Sequence, residues 1–164
     1  MSGLPFSSYV CDHILRPLGI ERHDLGYAIA DRDHQAAGYL EKYSLMNLMK
    51  GFLINRALIG DYDGRWLRIG AHYPNRAAFG GLVGTVRGFG TFLQDQLRIH
   101  SALFSDSTRR LFYECQETLE GRSIAMTLGW HVGELPNKPF FCKEGGGGGF
   151  HAMMRLYPEA QRAV

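Results

Sequence analysis

Cys142-Lys143-Glu144-Gly145-Gly146-Gly147-Gly148-Gly149-Phe150-His151 sets a lysine and an unbroken run of five glycines between two segments that alternate like β-strands. Backbone without side chains at a strand edge lets a ligand approach the main chain closely. The adjacent lysine offers a fixed positive charge for a carboxylate or an oxyanion. The plainer alternative is a solvated lysine beside a flexible glycine linker. Strong alternation on both sides argues against it, and the stretch reads as part of a site.

Outward from the glycines, Pro139 to Lys143 forms one strand, and Phe150, Ala152, Met154 and Leu156 alternate with His151, Met153, Arg155 and Tyr157 in another. Upstream, Ile124, Met126, Leu128, Trp130 and Val132 keep a period of two, which predicts a further strand, and Pro136-Asn137 marks the turn after it. Short connections between successive strands favour an antiparallel meander over about 122–157.

The first two-thirds has a different rhythm. Pro5 opens a helix over about 5–16 that ends at Pro17 and Gly19, and Glu21 to Asp33 is polar and irregular. Ala36 to Leu40 suits a short strand or a turn. Leu45 to Ile59 reads as a buried helix closed by Gly60, followed by turn chemistry at Asp61-Tyr62-Asp63-Gly64. Thr85 and Ser105 are N-cap residues for helices through Leu97 and Cys115. Glycines at 88 and 90 weaken the first of these by roughly 1 kcal/mol each relative to alanine, so tertiary packing must hold it. The expected class is α+β. One domain spans 1–164, mainly helical and loop over 1–120, with antiparallel strands over 121–164 packed against those helices.

Composition narrows the function classes. Lysine and arginine total 18 against 16 acidic residues, without a basic block, which removes support for nucleic-acid binding. The three cysteines, Cys11, Cys115 and Cys142, form no C-x-x-C pair, so neither a zinc ribbon nor a disulfide scaffold is indicated and a reducing compartment is implied. Seven histidines lack metal-binding spacing, so no metal or other cofactor is expected. The apolar window Leu45–Ile59 is interrupted by Asn47, Lys50 and Arg56 and falls short of the roughly 20 residues a membrane crossing needs. The opening Met1-Ser2-Gly3-Leu4-Pro5 is no export signal, and the chain reads as cytoplasmic with no membrane partner.

Taken in order, Ser2-Gly3-Leu4-Pro5-Phe6 through Ile14-Leu15-Arg16-Pro17-Leu18-Gly19-Ile20, Ala36-Ala37-Gly38-Tyr39, Gly80-Gly81-Leu82-Val83-Gly84-Thr85, Leu128-Gly129-Trp130 and Lys143-Glu144-Gly145 to Phe150 resemble the C-terminal part of the serine β-lactamase and penicillin-binding-protein-like superfamily. The likeness is to its class C, esterase and D-aminopeptidase branch and runs over nearly the whole chain. It implies acyl transfer, in which an activated serine attacks a carbonyl and backbone N–H groups hold the oxyanion. By this resemblance Lys143, Glu144 and Gly145 occupy the family's Lys-Thr-Gly or His-x-Gly positions, and an oxyanion donor follows Gly145, at Gly146. These four residues are the expected substrate-binding set.

The departures are equally specific. No serine here has a lysine three residues later, so the family's Ser-x-x-Lys nucleophile motif is absent and no catalytic residue is assigned. Its Tyr-x-Asn or Tyr-x-Ser motif would lie before Ser2, and Ala160 to Val164 could only begin the family's next strand. The chain is therefore expected to be an incomplete β-lactamase-like domain, inactive alone, whose substrate is a small ester, amide or peptide once the other half is supplied. Glu144 replaces a small hydroxyl residue and would repel a substrate carboxylate, which lowers the expectation of β-lactamase activity relative to esterase or peptidase activity. The alternative is a non-catalytic interaction module that self-associates through an exposed sheet edge.

Other residues receive plainer readings. Cys142 points away from the face of Lys143 by strand alternation and is a structural thiol. His131 and His151 have no catalytic partner fixed by spacing. Tyr39 and Tyr43 are aromatic contacts, and Trp130 packs against a helix.

Overall fold

The Thr85 hydroxyl accepts a hydrogen bond from the Gly88 N–H at 3.1 Å, and the Ser105 hydroxyl accepts from the Thr108 N–H at 3.2 Å. Both expected caps thus start helices, Val86–Leu97 and Asp106–Tyr113, by satisfying first-turn donors that have no partner inside the helix. These elements belong to a computed structural model that describes residues 2–73, 77–135 and 138–164. The chain divides into two compact units: Met1–Ala30, Leu82–Glu144 and Met153–Val164 in the first, Asp31–Gly81 and Gly145–Ala152 in the second.

In the first unit, α1 (Phe6–Val10) continues as a π-helical turn over Cys11–Leu15, within the span expected to be helical. Val10, Leu15, Ile20 and Leu25 form one buried cluster. The short strands β1 (Leu25–Gly26) and β5 (Val83–Gly84) pair antiparallel. A Cβ on Gly88, inside the helix after Thr85, would stand 2.5 Å from the Asp24 carbonyl oxygen. That glycine gives up helix propensity to let the helix seat against residues 24 and 25. Gly90 has open space around it and no such reason.

A four-stranded antiparallel sheet, ordered β6-β7-β8-β9, comprises His131–Leu135, Lys138–Gly147, Phe150–Tyr157 and Arg162–Ala163. Its second strand starts before Pro139 and continues through the first three glycines. The first unit's second core lies on this sheet: Leu93 from the long helix, Trp130 and Leu156 are buried together, with Phe112, Tyr113 and Phe141 packed against them. The expected packing of strands on helices is realised here, and Arg162–Ala163 forms the strand that the chain's last residues were expected to begin.

Two elements differ from expectation. The period-two stretch Ile124–Val132 is not one strand: the chain reverses there, Met126 bridges to His131, and β6 begins only at His131. Thr127 N–H donates to the Trp130 carbonyl at 2.8 Å and its hydroxyl accepts from Trp130 N–H at 3.3 Å, closing a tight turn over Leu128-Gly129. The meander accordingly starts later than 122 and gains a fourth strand. Pro136-Asn137 lies outside the described residues.

The second difference is in the second unit, where Leu45–Ile59 is not a buried helix. It is split into α2 (Leu45–Leu48) and α3 (Lys50–Leu53), then an extended Ile54, a 3₁₀ turn over Arg56–Leu58 and the start of a strand. Met49, with φ −89° and ψ 1°, breaks the helix, and Asn55 accepts from Ala57 N–H to cap the next turn. Inside this stretch the buried side chain is polar: Asn47 Oδ1 accepts from Tyr62 hydroxyl at 2.9 Å and Lys50 Nζ at 2.7 Å. Three strands, β2 (Gly38–Glu41), β3 (Ile59–Asp63) and β4 (Trp66–Ile69), form an antiparallel sheet ordered β2-β4-β3; β2 overlaps the strand candidate at Ala36 to Leu40, and β3 and β4 lie where helix and loop were expected. Asp61 to Asp63 are therefore strand, and the chain turns after them at Gly64, whose φ of 59° is left-handed.

Candidate functional site

Lys143 and Glu144 lie on β7 as it leaves the first unit. The ladder between β6 and β7 ends with His131 opposite Cys142, and β7 runs on from Lys143 to Gly147 without β6 beside it. Phe141 packs into the core, so alternation puts Lys143 on the same side of the strand and Cys142 on the other. The ammonium of Lys143 is exposed and makes no hydrogen bond or ion pair among the described residues.

The glycine run divides into two parts with different physical roles. Gly145 and Gly146 have no left-handed φ; a Cβ on Gly145 would meet nothing within 4 Å, and one on Gly146 would make only ordinary contacts with His151 and Phe150 from 3.5 Å. Neither packing nor backbone conformation in this fold demands glycine at those two positions. Both residues are exposed on β7, with β8 as the neighbouring strand.

Gly147 ends β7, and Gly148 and Gly149 make the turn. Gly147, Gly148 and Gly149 have φ of 157°, 59° and 83°. The Gly149 carbonyl accepts from the Tyr39 N–H at 3.0 Å, tying the hairpin to β2 within the second unit. Gly148 leaves no room for a Cβ beside the Cε1–Nε2 edge of His72, whose Nδ1 sits 3.0 Å from the Gly70 carbonyl oxygen. Gly38 is also confined, since a Cβ there would stand 2.9 Å from the Phe150 ring and also press on the Gly148 carbonyl oxygen. Sequence reading missed Gly38 and His72 as supports of this hairpin; a glycine within a short strand candidate was the available signal for the first, and His72 gave none.

The remaining candidates fall where the plainer readings put them. His131 and His151 are exposed on strands, Tyr43 is exposed on the loop before α2, and Tyr39 serves the hairpin through its main chain. Trp130 is buried against Leu93 and Leu156. The three cysteines are unbonded, and no group of three or more potential metal ligands converges among the described residues.

The beta-lactamase family model matches residues 1–164. The chain belongs to the beta-lactamase family. Among solved structures, this family member is similar to the octameric penicillin-binding protein homologue from Pyrococcus abyssi, with a TM-score of 0.70 and 16% identity over 99% of this chain and 33% of that one. The likeness establishes the fold, and the chain spans about a third of that homologue's length. Comparison with curated proteins found no match. Serine hydrolase superfamily membership and the α+β class thus stand on the whole-chain family match and the shared fold.

Proposed function

We propose that this chain supplies the substrate-facing wall of a serine hydrolase that transfers acyl groups from an ester, amide or peptide. The observation that carries this reading is the exposed Gly145-Gly146 segment of β7 directly after the exposed Lys143. Lys143 attracts a substrate carboxylate, and the Gly146 N–H donates to the carbonyl oxygen as negative charge develops on it. A donor already aimed at that charge contributes more in the transition state than in the ground state, and losing one such donor costs about 10²–10³ in rate. Glu144 follows Lys143 on β7 and by alternation faces the other side of the strand, with Cys142. The nucleophile comes from outside these residues, because no Ser-x-x-Lys occurs in them.

Titrating the isotope-labelled chain with an N-acetylated dipeptide is expected to shift the Gly145 and Gly146 amide resonances, and Lys143→Ala to weaken that response at least tenfold. In the same sample a fluorophosphonate leaves every serine unlabelled. Unmoved glycine amides would remove the wall, and stoichiometric serine labelling would place a nucleophile within the chain.

A second reading is self-association, supported by apolar side chains in the second unit. Leu48 is 81% and Phe52 93% exposed, with Leu45 and Leu53 also open. Apolar surface of this kind is characteristic of interaction sites, and the structurally similar homologue is octameric. Sedimentation is expected to find a concentration-dependent oligomer that the Leu48→Glu/Phe52→Glu variant dissolves. A monomer at every concentration would end this reading.

A further inference from the structure

Residues 43–53 of the second unit are turned inside out. The buried side chain among them is polar: Asn47 is 2% exposed, and its Oδ1 accepts from the Tyr62 hydroxyl and Lys50 Nζ. The apolar side chains beside it face outward, with Leu45 70%, Leu48 81% and Phe52 93% exposed, and Met46, Met49 and Leu53 also open. An amphipathic element in water has the reverse arrangement. Rotating α2 to bury Leu45 and Leu48 would draw Asn47 away from Tyr62, so the Asn47 contacts hold the apolar side chains out.

The charge on this segment has one sign. From Lys42 to Gly60 the sequence carries three cations, Lys42, Lys50 and Arg56, and no aspartate or glutamate, although the whole chain is nearly balanced. Lys42 and Arg56 are exposed, and Lys42 Nζ lies 6.0 Å from the Tyr43 ring centre and 5.6 Å from that of Tyr62. Glu41, just before the segment, is paired with Arg65. The next carboxylates, Asp61 and Asp63, belong to β3 and flank Tyr62, from which Asp63 alternates to the other side of the strand.

Apolar side chains bracketed by cations suit a surface with an apolar interior and negative headgroups, where Lys and Arg lay their stems along the apolar part and keep their charges in water. A second copy of the chain would bring the same three cations to the contact. An anionic bilayer brings the opposite charge, and each cation near it adds attraction. The expectation of no membrane partner concerned a spanning segment or an export signal, and lying on a surface requires neither. Among the described residues no helix is long and apolar enough to cross a membrane, which leaves the interface as the place for this segment.

We propose that residues 43–53 dock the second unit on an anionic phospholipid surface, with Leu45, Leu48 and Phe52 entering the acyl boundary and Lys42 and Arg56 at the headgroups. No residue of the glycine wall takes part, so either reading can fail without the other.

Flotation of the full chain with vesicles tests this. Vesicles of equal parts phosphatidylserine and phosphatidylcholine are expected to carry the chain, and vesicles of phosphatidylcholine alone to carry it at least tenfold less well. Leu48→Ser/Phe52→Ser changes two exposed side chains, keeps the fold as checked by circular dichroism, and is expected to lose binding at least tenfold. Lys42→Gln/Arg56→Gln is expected to weaken binding by roughly tenfold or more. The control Arg122→Gln/Lys138→Gln removes the same charge from exposed positions in the first unit and is expected to bind as the parent does. Equal binding to neutral vesicles, full binding by the Leu48/Phe52 variant, or an equal loss in the control would overturn the proposal. So would an oligomer that forms without lipid, dissolves in the Leu48/Phe52 variant and leaves both kinds of vesicle bare, since the occupant would then be a second copy.

Discussion

Replacing Gly149 with alanine lowers the stability of the second unit by about 4 kcal/mol. Its φ of 83° lies in left-handed space, where a side chain costs roughly 1–2 kcal/mol. A Cβ would also stand 2.5 Å from the Tyr39 nitrogen and 2.8 Å from the Gly38 carbonyl carbon. Both neighbours are main chain, so relief requires β2 to move, an overpacking penalty of about 1–3 kcal/mol. Moving β2 also threatens the 3.0 Å bond from Tyr39 N–H to the Gly149 carbonyl. Against a total stability of about 5–15 kcal/mol this is a large fraction. Gly145→Ala is the matched control: with open space at its Cβ and no left-handed φ, it stays within about 1 kcal/mol of the parent and is stabilising if the unfolded chain loses freedom. Urea midpoints for the two variants measure the contrast. Equal losses would mean that the glycine run acts as one flexible loop.

What was legible in the sequence was local. Thr85 and Ser105 announce their helices because a cap is made within four residues of the backbone it satisfies. Phe150 to Tyr157 announces its strand by alternation, although only its second half, through Met154 and Leu156, meets a core. The confinement of Gly38, Gly148 and His72 joins segments distant in the chain, so no spacing rule encodes it. Leu45 to Ile59 carries helix-like periodicity, yet the side chain withdrawn from water there is Asn47, held by Tyr62 and Lys50. Tertiary hydrogen bonding overrode the apolar pattern. At the candidate site, the sequence could identify Lys143 beside glycines, but it could not separate Gly145 and Gly146, which are exposed without a positive φ, from Gly147 to Gly149, whose positive φ carries the chain into and through the turn. That distinction depends on φ and on neighbours across the fold.

The sharpest test of how residues 124–132 are arranged is Trp130→Ala, expected to cost the first unit about 3–5 kcal/mol, as removal of a buried indole does. Trp130 is 4% exposed and shares its cluster with Leu93 and Leu156. Its hydrogen bonds to Thr127 use main-chain N–H and C=O, so alanine keeps them and the loss isolates packing. Leu128, by contrast, is 59% exposed at the crest of the turn. A continuous alternating strand would put Leu128 and Trp130 on the same buried face and make both truncations expensive. The observed reversal buries Thr127 and Trp130, three residues apart, and leaves Leu128 out. Leu128→Ala is therefore expected to stay within about 0.5 kcal/mol. Comparable losses from both variants in thermal or urea unfolding would restore the straight strand. The predicted disparity would show that Trp130 packs the helices against the sheet from its place in a turn ahead of β6, the strand that runs beside β7 up to the start of the Lys143 segment.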